Sequence, residues 1–449
     1  MSRAEKDMRE QRHIAWLHEQ LPGLVSDGTL TAEAAQSLRR RYGEADASRG
    51  LQAATLFGVL GAVLVGGGII LLLAHNWDNF SRTTRAALSF APLVLAQALA
   101  ARALWRHTES AAWRESAGAF LTLAVGASIA LIAQTYNIGG DLSDFLLTWS
   151  LLALPVAYLL RATIPVILYL VGITAWAGAQ WTESAEALGF WPLLALALPW
   201  WRLEAKANPY RPRPILFAWI FALVLPIGVG ASLRDVLEYH GTWMLVCSVI
   251  AGALFLAGRR FWGEATSRAQ KPLQTLGALG LVGLGLAFSF EELWRDQIGA
   301  WRGGARVFAD EALSHPLAWA IVALWLAAWL GLWLDSFRFK DAARTFLGAM
   351  PLFAAAGLAL ASFGHPGAAM LLLNLYLFAL GVGTLVAGVR AQSLATVNGG
   401  MLILAAVILC RFFDADLGFV ARGVAFIVLG ASFLAVNVVL MRKKGAAKP

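Results

Sequence analysis

A chain of 449 residues would ordinarily divide into about three soluble domains, but 59% hydrophobic residues, 14% charged residues and a mean hydropathy of +0.63 exclude that. A soluble domain is roughly a quarter charged, because its surface has to face water, so most of this surface must face lipid. The net charge of +8 would point to nucleic acid in a soluble protein; here the placement of the bases explains it without a nucleic-acid partner.

Residues 1–50 hold eight acids and eight bases. Ile14, Leu17 and Leu21 fall at helical spacing, and Pro22 with Gly23 should end that helix. Thr31 can cap a second helix, along which Leu30, Ala34, Leu38 and Tyr42 recur at every fourth position. The expectation is a small cytoplasmic helical hairpin, suited to docking a protein partner. Arg39, Arg40 and Arg41 lie where anionic lipid is the simplest ligand. The tail has no apolar signal region, so targeting should come from the first span.

A spanning helix needs about twenty mostly apolar residues. About fourteen segments qualify: 52–74, 86–104, 116–135, 145–160, 162–180, 187–201, 214–231, 241–258, 272–290, 316–334, 345–363, 367–389, 394–410 and 419–441. The segments between 145 and 201 are the least separated, and 187–201 carries Pro192 and Pro199, so a hairpin or re-entrant turn is an alternative there. Residues 291–315 form a longer outer segment. Its Trp294, Ile298 and Trp301 are spaced to lie along the interface or to form a lid. A basic tail, 442–449, closes the chain. The expected fold is therefore an all-α polytopic bundle over 51–441.

Lys and Arg concentrate in cytoplasmic loops. With the N-terminus inside, 28 of the 36 bases fall in inside segments and 8 in outside ones, which places both termini in the cytoplasm. Trp77, Trp105, Trp149, Trp181, Trp200, Trp201, Trp243, Trp262 and Trp333 sit at span ends, as interface anchors do.

The central turns of the spans carry no Asp, Glu, Lys or Arg, which disfavours proton-coupled transport and chemistry within the bilayer. No GxxxxGK[ST], HExxH or GxSxG motif occurs. No catalytic, cofactor-binding or metal residue is assigned, and Cys247 and Cys410 sit singly in apolar stretches. Gln97, Gln134, Asn374, Asn398 and Asn437 read as interhelical hydrogen-bonding amides. Gly277, Gly280 and Gly283, like the glycines of the first span, read as close-packing surfaces. Polar residues collect at three expected outer ends: Asn76, Trp77 and Asp78; Gln134, Tyr136, Asn137 and Asp141; and Arg411 and Asp414. The expectation is that they converge on one outward polar site for a small polar or amphipathic envelope ligand. Arg411 should pair there with Asp78 or Asp141.

The chain resembles the bacterial integral membrane proteins of domain-of-unknown-function family 2157. The resemblance is carried by the N-terminal hairpin running into the Gly-rich first span that ends Ala74-His75-Asn76-Trp77-Asp78. It continues in Gln134-Thr135-Tyr136-Asn137-Ile138-Gly139-Gly140-Asp141 with Trp149 and Pro155. The tail adds Arg411-Phe412-Phe413-Asp414, Arg422-Gly423, Phe426-Ile427, Gly430 and Asn437. It implies a multi-pass protein of the bacterial inner membrane and supplies no substrate. Two functions stand level: a transporter or lipid/glycan translocator using the outer polar site, and a non-catalytic scaffold or sensor docking partners through its hairpin. An outer-face enzyme using Asp78, Asp141 or Asp414 is the third.

Overall fold

A computed structural model describes residues 20–21, 23–42, 77–108, 110–182, 187–206, 208–239, 241–263, 267–298, 313–339, 342–414 and 427. The expected span 52–74, the expected span 419–441 apart from residue 427, and the basic tail lie outside the described residues. Two compact units are present: Met1–Ala91 with Leu131–Ile138, and Pro92–Ala130 with Gly139–Pro449.

Among the described residues there is helix and no strand. In chain order the helices are α1 (Ala32–Tyr42), α2 (Arg82–Arg106), α3 (Ala111–Tyr136), α4 (Leu142–Leu160), α5 (Thr163–Thr182), α6 (Phe190–Ala205), α7 (Pro212–Ser232) and α8 (Arg234–Glu238). They continue with α9 (Thr242–Trp262), α10 (Pro272–Ala287), α11 (Glu292–Arg295), α12 (Pro316–Ser336), α13 (Ala342–Gly348), α14 (Met350–Ser362), α15 (Pro366–Arg390) and α16 (Leu394–Asp414). Nine of those described are long and apolar enough to cross a membrane: α2, α3, α4, α5, α7, α9, α12, α15 and α16.

All twelve expected spans within the described residues are helical, but three differ in form from expectation. The segment with Pro192 and Pro199 is one helix of 16 residues, α6. The expected span 272–290 stops at Ala287, giving 16 residues. The expected span 345–363 is broken at Ala349 into α13 and α14, with Pro351 opening the second piece. A proline cannot donate the i→i−4 bond, so carbonyls before it are left over. Side chains satisfy them. Trp333 Nε1 donates to Thr345 O at 3.2 Å, Tyr376 Oη to Phe346 O and Leu347 O at 3.1 Å each, and Trp329 Nε1 to Gly348 O at 2.9 Å. A broken helix is tolerable at membrane depth when neighbouring side chains pair its backbone in this way.

The second unit has two large cores. One packs Tyr169, Ile173, Phe190, Trp200, Leu225 and Trp262 from α5, α6, α7 and α9. The other packs Phe288, Trp294, Trp329, Leu373 and Tyr376 from α12, α15 and the chain around α10 and α11. Helix α9 contributes to both. It lies closely against α10 because Gly277 has no side chain: a Cβ there would come within 2.4 Å of Phe255 N and 2.8 Å of Ala251 O. Gly280 shares this face, with Ala251 Cβ at 3.2 Å, whereas Gly283 faces open space. The glycine face is therefore narrower than its spacing suggests.

Trp294 does not lie along the interface. It is fully buried, edge-on to Phe288, and donates to Phe288 O at 2.7 Å. The described part of segment 291–315 is thus a plug in the second core. Trp200 and Trp262 are likewise core residues, while Trp105 is 82% exposed.

In the first unit, Gly23–Ser26 is helical and a turn follows at Asp27–Leu30, where Gly28 has φ +72°. The turn there uses the glycine that can enter the left-handed region; the expected break at Pro22-Gly23 involves Pro22, which lies outside the described residues. Thr31 Oγ1 accepts from Ala34 N at 3.2 Å, capping α1 as its sequence position requires.

Candidate functional site

Of the residues expected at the outer polar site, Asn76 and the side chains of Asp78 and Asp414 lie outside the described residues. Trp77, Gln134, Tyr136 and Asn137 belong to the first compact unit, and Asp141 and Arg411 to the second. Trp77 is buried and its Nε1 has no partner among the described residues. Gln134, Tyr136, Asn137 and Asp141 are exposed. Asn137 also has a local task. Its φ of 49° ends α3, and Ile138 N donates back to Ala133 O at 2.9 Å, a left-handed helix stop that asparagine tolerates.

Arg411 reaches the C-terminal end of α10. Its Nη2 donates to Ser289 O at 2.6 Å, its Nη1 lies 3.4 Å from Met370 Sδ, and its guanidinium stands 5.0 Å from the Phe290 ring centre. Asn374 Nδ2 donates to the same Ser289 carbonyl at 3.1 Å. A helix C-terminus carries partial negative charge and unsatisfied carbonyls, so it stabilises the Arg411 guanidinium. Asn374, expected to bond between helices, does so here.

A concavity lies elsewhere, inside the second unit. A cleft of about 590 Å³ opens between α6, α7, α9 and α12, with Leu273 of α10 contributing to its wall. Each helix offers a face at helical spacing: Ala195, Leu198 and Arg202 from α6; Phe217, Ala218 and Phe221 from α7; Ala253, Ala257 and Phe261 from α9; Trp325, Ala328 and Leu332 from α12. Every wall includes at least one alanine among bulkier neighbours, and that missing volume is the space. Arg202 is the one charged residue in the described lining.

The wall made by α6 is unusual in its backbone. Pro199 cannot donate to Ala195 O. One residue further on, Trp200 N donates to Tyr158 Oη at 3.2 Å, and that hydroxyl donates to Leu196 O at 2.6 Å. The tyrosine hydroxyl thus stands in the helix ladder, a recognised cause of helix bending. Tyr169 Oη donates to Leu193 O at 2.6 Å one turn earlier.

At its open end the cleft continues into a second hollow of about 280 Å³, with Trp201, Arg202 and Phe261 common to both. Ala205, Lys206 and Pro209 complete it. Trp201, Phe261 and Trp262 form a ring cluster with centres about 6 Å apart. Arg202 and Lys206 are exposed, one helical turn apart, and Trp201 Nε1 has no partner among the described residues. The nearest acid along α6, Glu204, is engaged by Arg213 at 3.8 Å. Positive charge extends around this end of the bundle. The Lys271 ammonium is held below its ordinary pKa, first by burial and then by the nearby Arg344 cation.

The same end carries an ion-pair hub. Glu115 of α3 accepts from Thr163 N at 2.7 and 2.9 Å and from Ile164 N at 2.9 Å, capping α5 from another helix. Arg213 Nη2 lies 3.2 Å from Glu115, and its Nη1 reaches Arg161 O at 3.3 Å. Sequence reading missed both the cleft and the hub. The only local signal was a carboxylate and an arginine at the margins of apolar runs. Among the described residues, no group of three His, Cys, Asp or Glu side chains could hold a metal ion.

Repeated apolar helices of spanning length, satisfied broken backbone and aromatic clusters at the helix ends define a multi-pass α-helical membrane protein. Residues 22–166 match the family of predicted membrane proteins DUF2157, in agreement with the resemblance read from the N-terminal motifs. No curated protein and no solved structure matches the chain.

Proposed function

We propose that the protein is a non-catalytic membrane scaffold or sensor that holds an amphipathic molecule in the α6–α7–α9–α12 cleft. The observation that carries this reading is the cleft itself. Its volume falls in the roughly 300–1,000 Å³ range of ligand sites, its described lining is apolar, and its charge is confined to the open end. A pathway for small polar solutes would need polar lining through the bundle, whereas the two described cores pack Leu, Ala, Phe and Trp. Ala195 of α6 and Ala328 of α12 both line the cleft and are themselves exposed, so larger side chains can enter the space without disturbing the core. The double variant Ala195→Phe/Ala328→Phe should remain monodisperse in detergent and retain about tenfold less lipid through purification, read by mass spectrometry of extracts. Unchanged lipid retention would sink the reading.

A second reading keeps the outward polar site. It is favoured by the buried Trp77 indole, which has no partner among the described residues and lies in the same compact unit as Gln134, Tyr136 and Asn137. It requires these residues to face the outside of a bacterial inner membrane with both termini in the cytoplasm, as the basic bias implies. Reporter fusions after residues 140, 235, 305 and 415 should then read outside, and fusions after 110, 207 and 265 inside. An inside signal after residue 140 removes this reading.

A further inference from the structure

We infer that the occupant of the cleft is an anionic glycerophospholipid, one acyl chain lying in the apolar space and its phosphate at Arg202, Lys206 and the Trp201 indole N–H. The inference rests on the amphiphile reading above and adds the chemistry of the headgroup. Three observations carry it. The apolar cleft and the smaller hollow share Trp201, Arg202 and Phe261, so a molecule with a long apolar part and a compact polar end fits the two together. The cations stand at positions i and i+4 at the end of α6, and Lys206 N donates to Arg202 O at 3.0 Å. Like charges at that spacing repel, and an anion between them removes the repulsion while bonding both. The third observation is the Trp201 Nε1–H, which is buried without a partner among the described residues. A buried donor left unpaired is costly, and a phosphate oxygen at the hollow would accept from it.

The sign of the charge decides between headgroups. The aromatic cluster of Trp201, Phe261 and Trp262 could by itself favour a quaternary ammonium. The described lining of the hollow contains two cations and no carboxylate, and Glu204 is drawn to Arg213. A choline group would therefore meet repulsion, and a net negative headgroup meets attraction. A free phosphate ester would use the hollow alone and leave the larger cleft empty, so the lipid is the better match to the whole space.

The test uses the full-length protein in detergent and native mass spectrometry, with phosphatidylglycerol and phosphatidylcholine of equal chain length as probes. The wild type should prefer phosphatidylglycerol by about tenfold or more, as two bases at a membrane surface imply. Arg202→Gln/Lys206→Gln should abolish the preference. Glycerol 3-phosphate at matched concentration should not displace the bound lipid. A preference for phosphatidylglycerol that survives the double glutamine variant overturns the headgroup assignment alone. Displacement by glycerol 3-phosphate overturns the acyl-chain part of the assignment. If Ala195→Phe/Ala328→Phe leaves retention of both lipids unchanged, the cleft reading beneath it fails as well.

Discussion

Gly277→Val should prevent α10 from docking on α9, whereas Gly283→Val, six residues along the same helix, should be tolerated. At Gly277 even a Cβ meets backbone, with Phe255 N at 2.4 Å, Phe255 Cα at 2.7 Å and Ala251 O at 2.8 Å. Backbone atoms cannot turn aside as a side-chain end can, so the two helices must separate. Forcing bulk into a packed interface ordinarily costs about 1–3 kcal/mol, and here the cost should reach the upper end or beyond. Separation would also disturb Gly258, which approaches Gln274 N from the other side of the same contact. At Gly283 no neighbouring atom lies within 4 Å of the place a Cβ would take, and replacing glycine in a helix interior removes a propensity penalty of up to about 1 kcal/mol. Size-exclusion profiles after stepwise heating in detergent would compare the two. Equal loss from both substitutions would mean that the α9–α10 contact is not as described.

Glu115→Ala should lower stability by about 2–3 kcal/mol, more than any other single charge removal at the basic end. The carboxylate does three things together. It accepts the first two backbone N–H groups of α5, it pairs with Arg213, and through Arg213 it ties α3 to the start of α7. Removing it strands helix-terminal donors and leaves a guanidinium, 24% exposed, with Glu204 and the Arg161 carbonyl as its remaining partners among the described residues. Glu115→Gln keeps an acceptor for the N–H groups and loses the charge, so its cost should be smaller. Because the two residues share one network, Glu115→Ala/Arg213→Ala should cost less than the sum of the single changes. Additive costs in thermal unfolding would show that Glu115 and Arg213 do not act as a pair.

Much of the fold is legible locally. Every described expected span is helical, because a run of apolar residues in lipid has no other way to pair its backbone. The cap at Thr31 and the stop at Asn137 are also local, since each depends on one residue's own side chain or φ preference. The candidate site was much less legible. Trp77, Gln134, Tyr136 and Asn137 do share a compact unit, which their spacing along the chain alone could not establish. Gly277 and Gly280 were readable as packing glycines, yet nothing nearby in the chain marks Gly283 as open.

What the amino-acid order determined by itself is the solvent of the protein, the position of its helices and the uneven placement of its bases, all of which depend on hydropathy over a window of neighbours. What only tertiary structure decided is which apolar face meets another helix and which meets lipid. Helices such as α7 and α12 are apolar all round, so no polar stripe marks a buried side. Both faces are equally content with hydrocarbon. The cleft arises because alanines from four helices happen to face one another. The break before Pro351 is tolerable because Trp329, Trp333 and Tyr376 supply donors. The Glu115 hub joins residues about fifty and a hundred positions apart in the chain. Each depends on distances across the bundle, and those are set by packing between helices rather than by any signal within one.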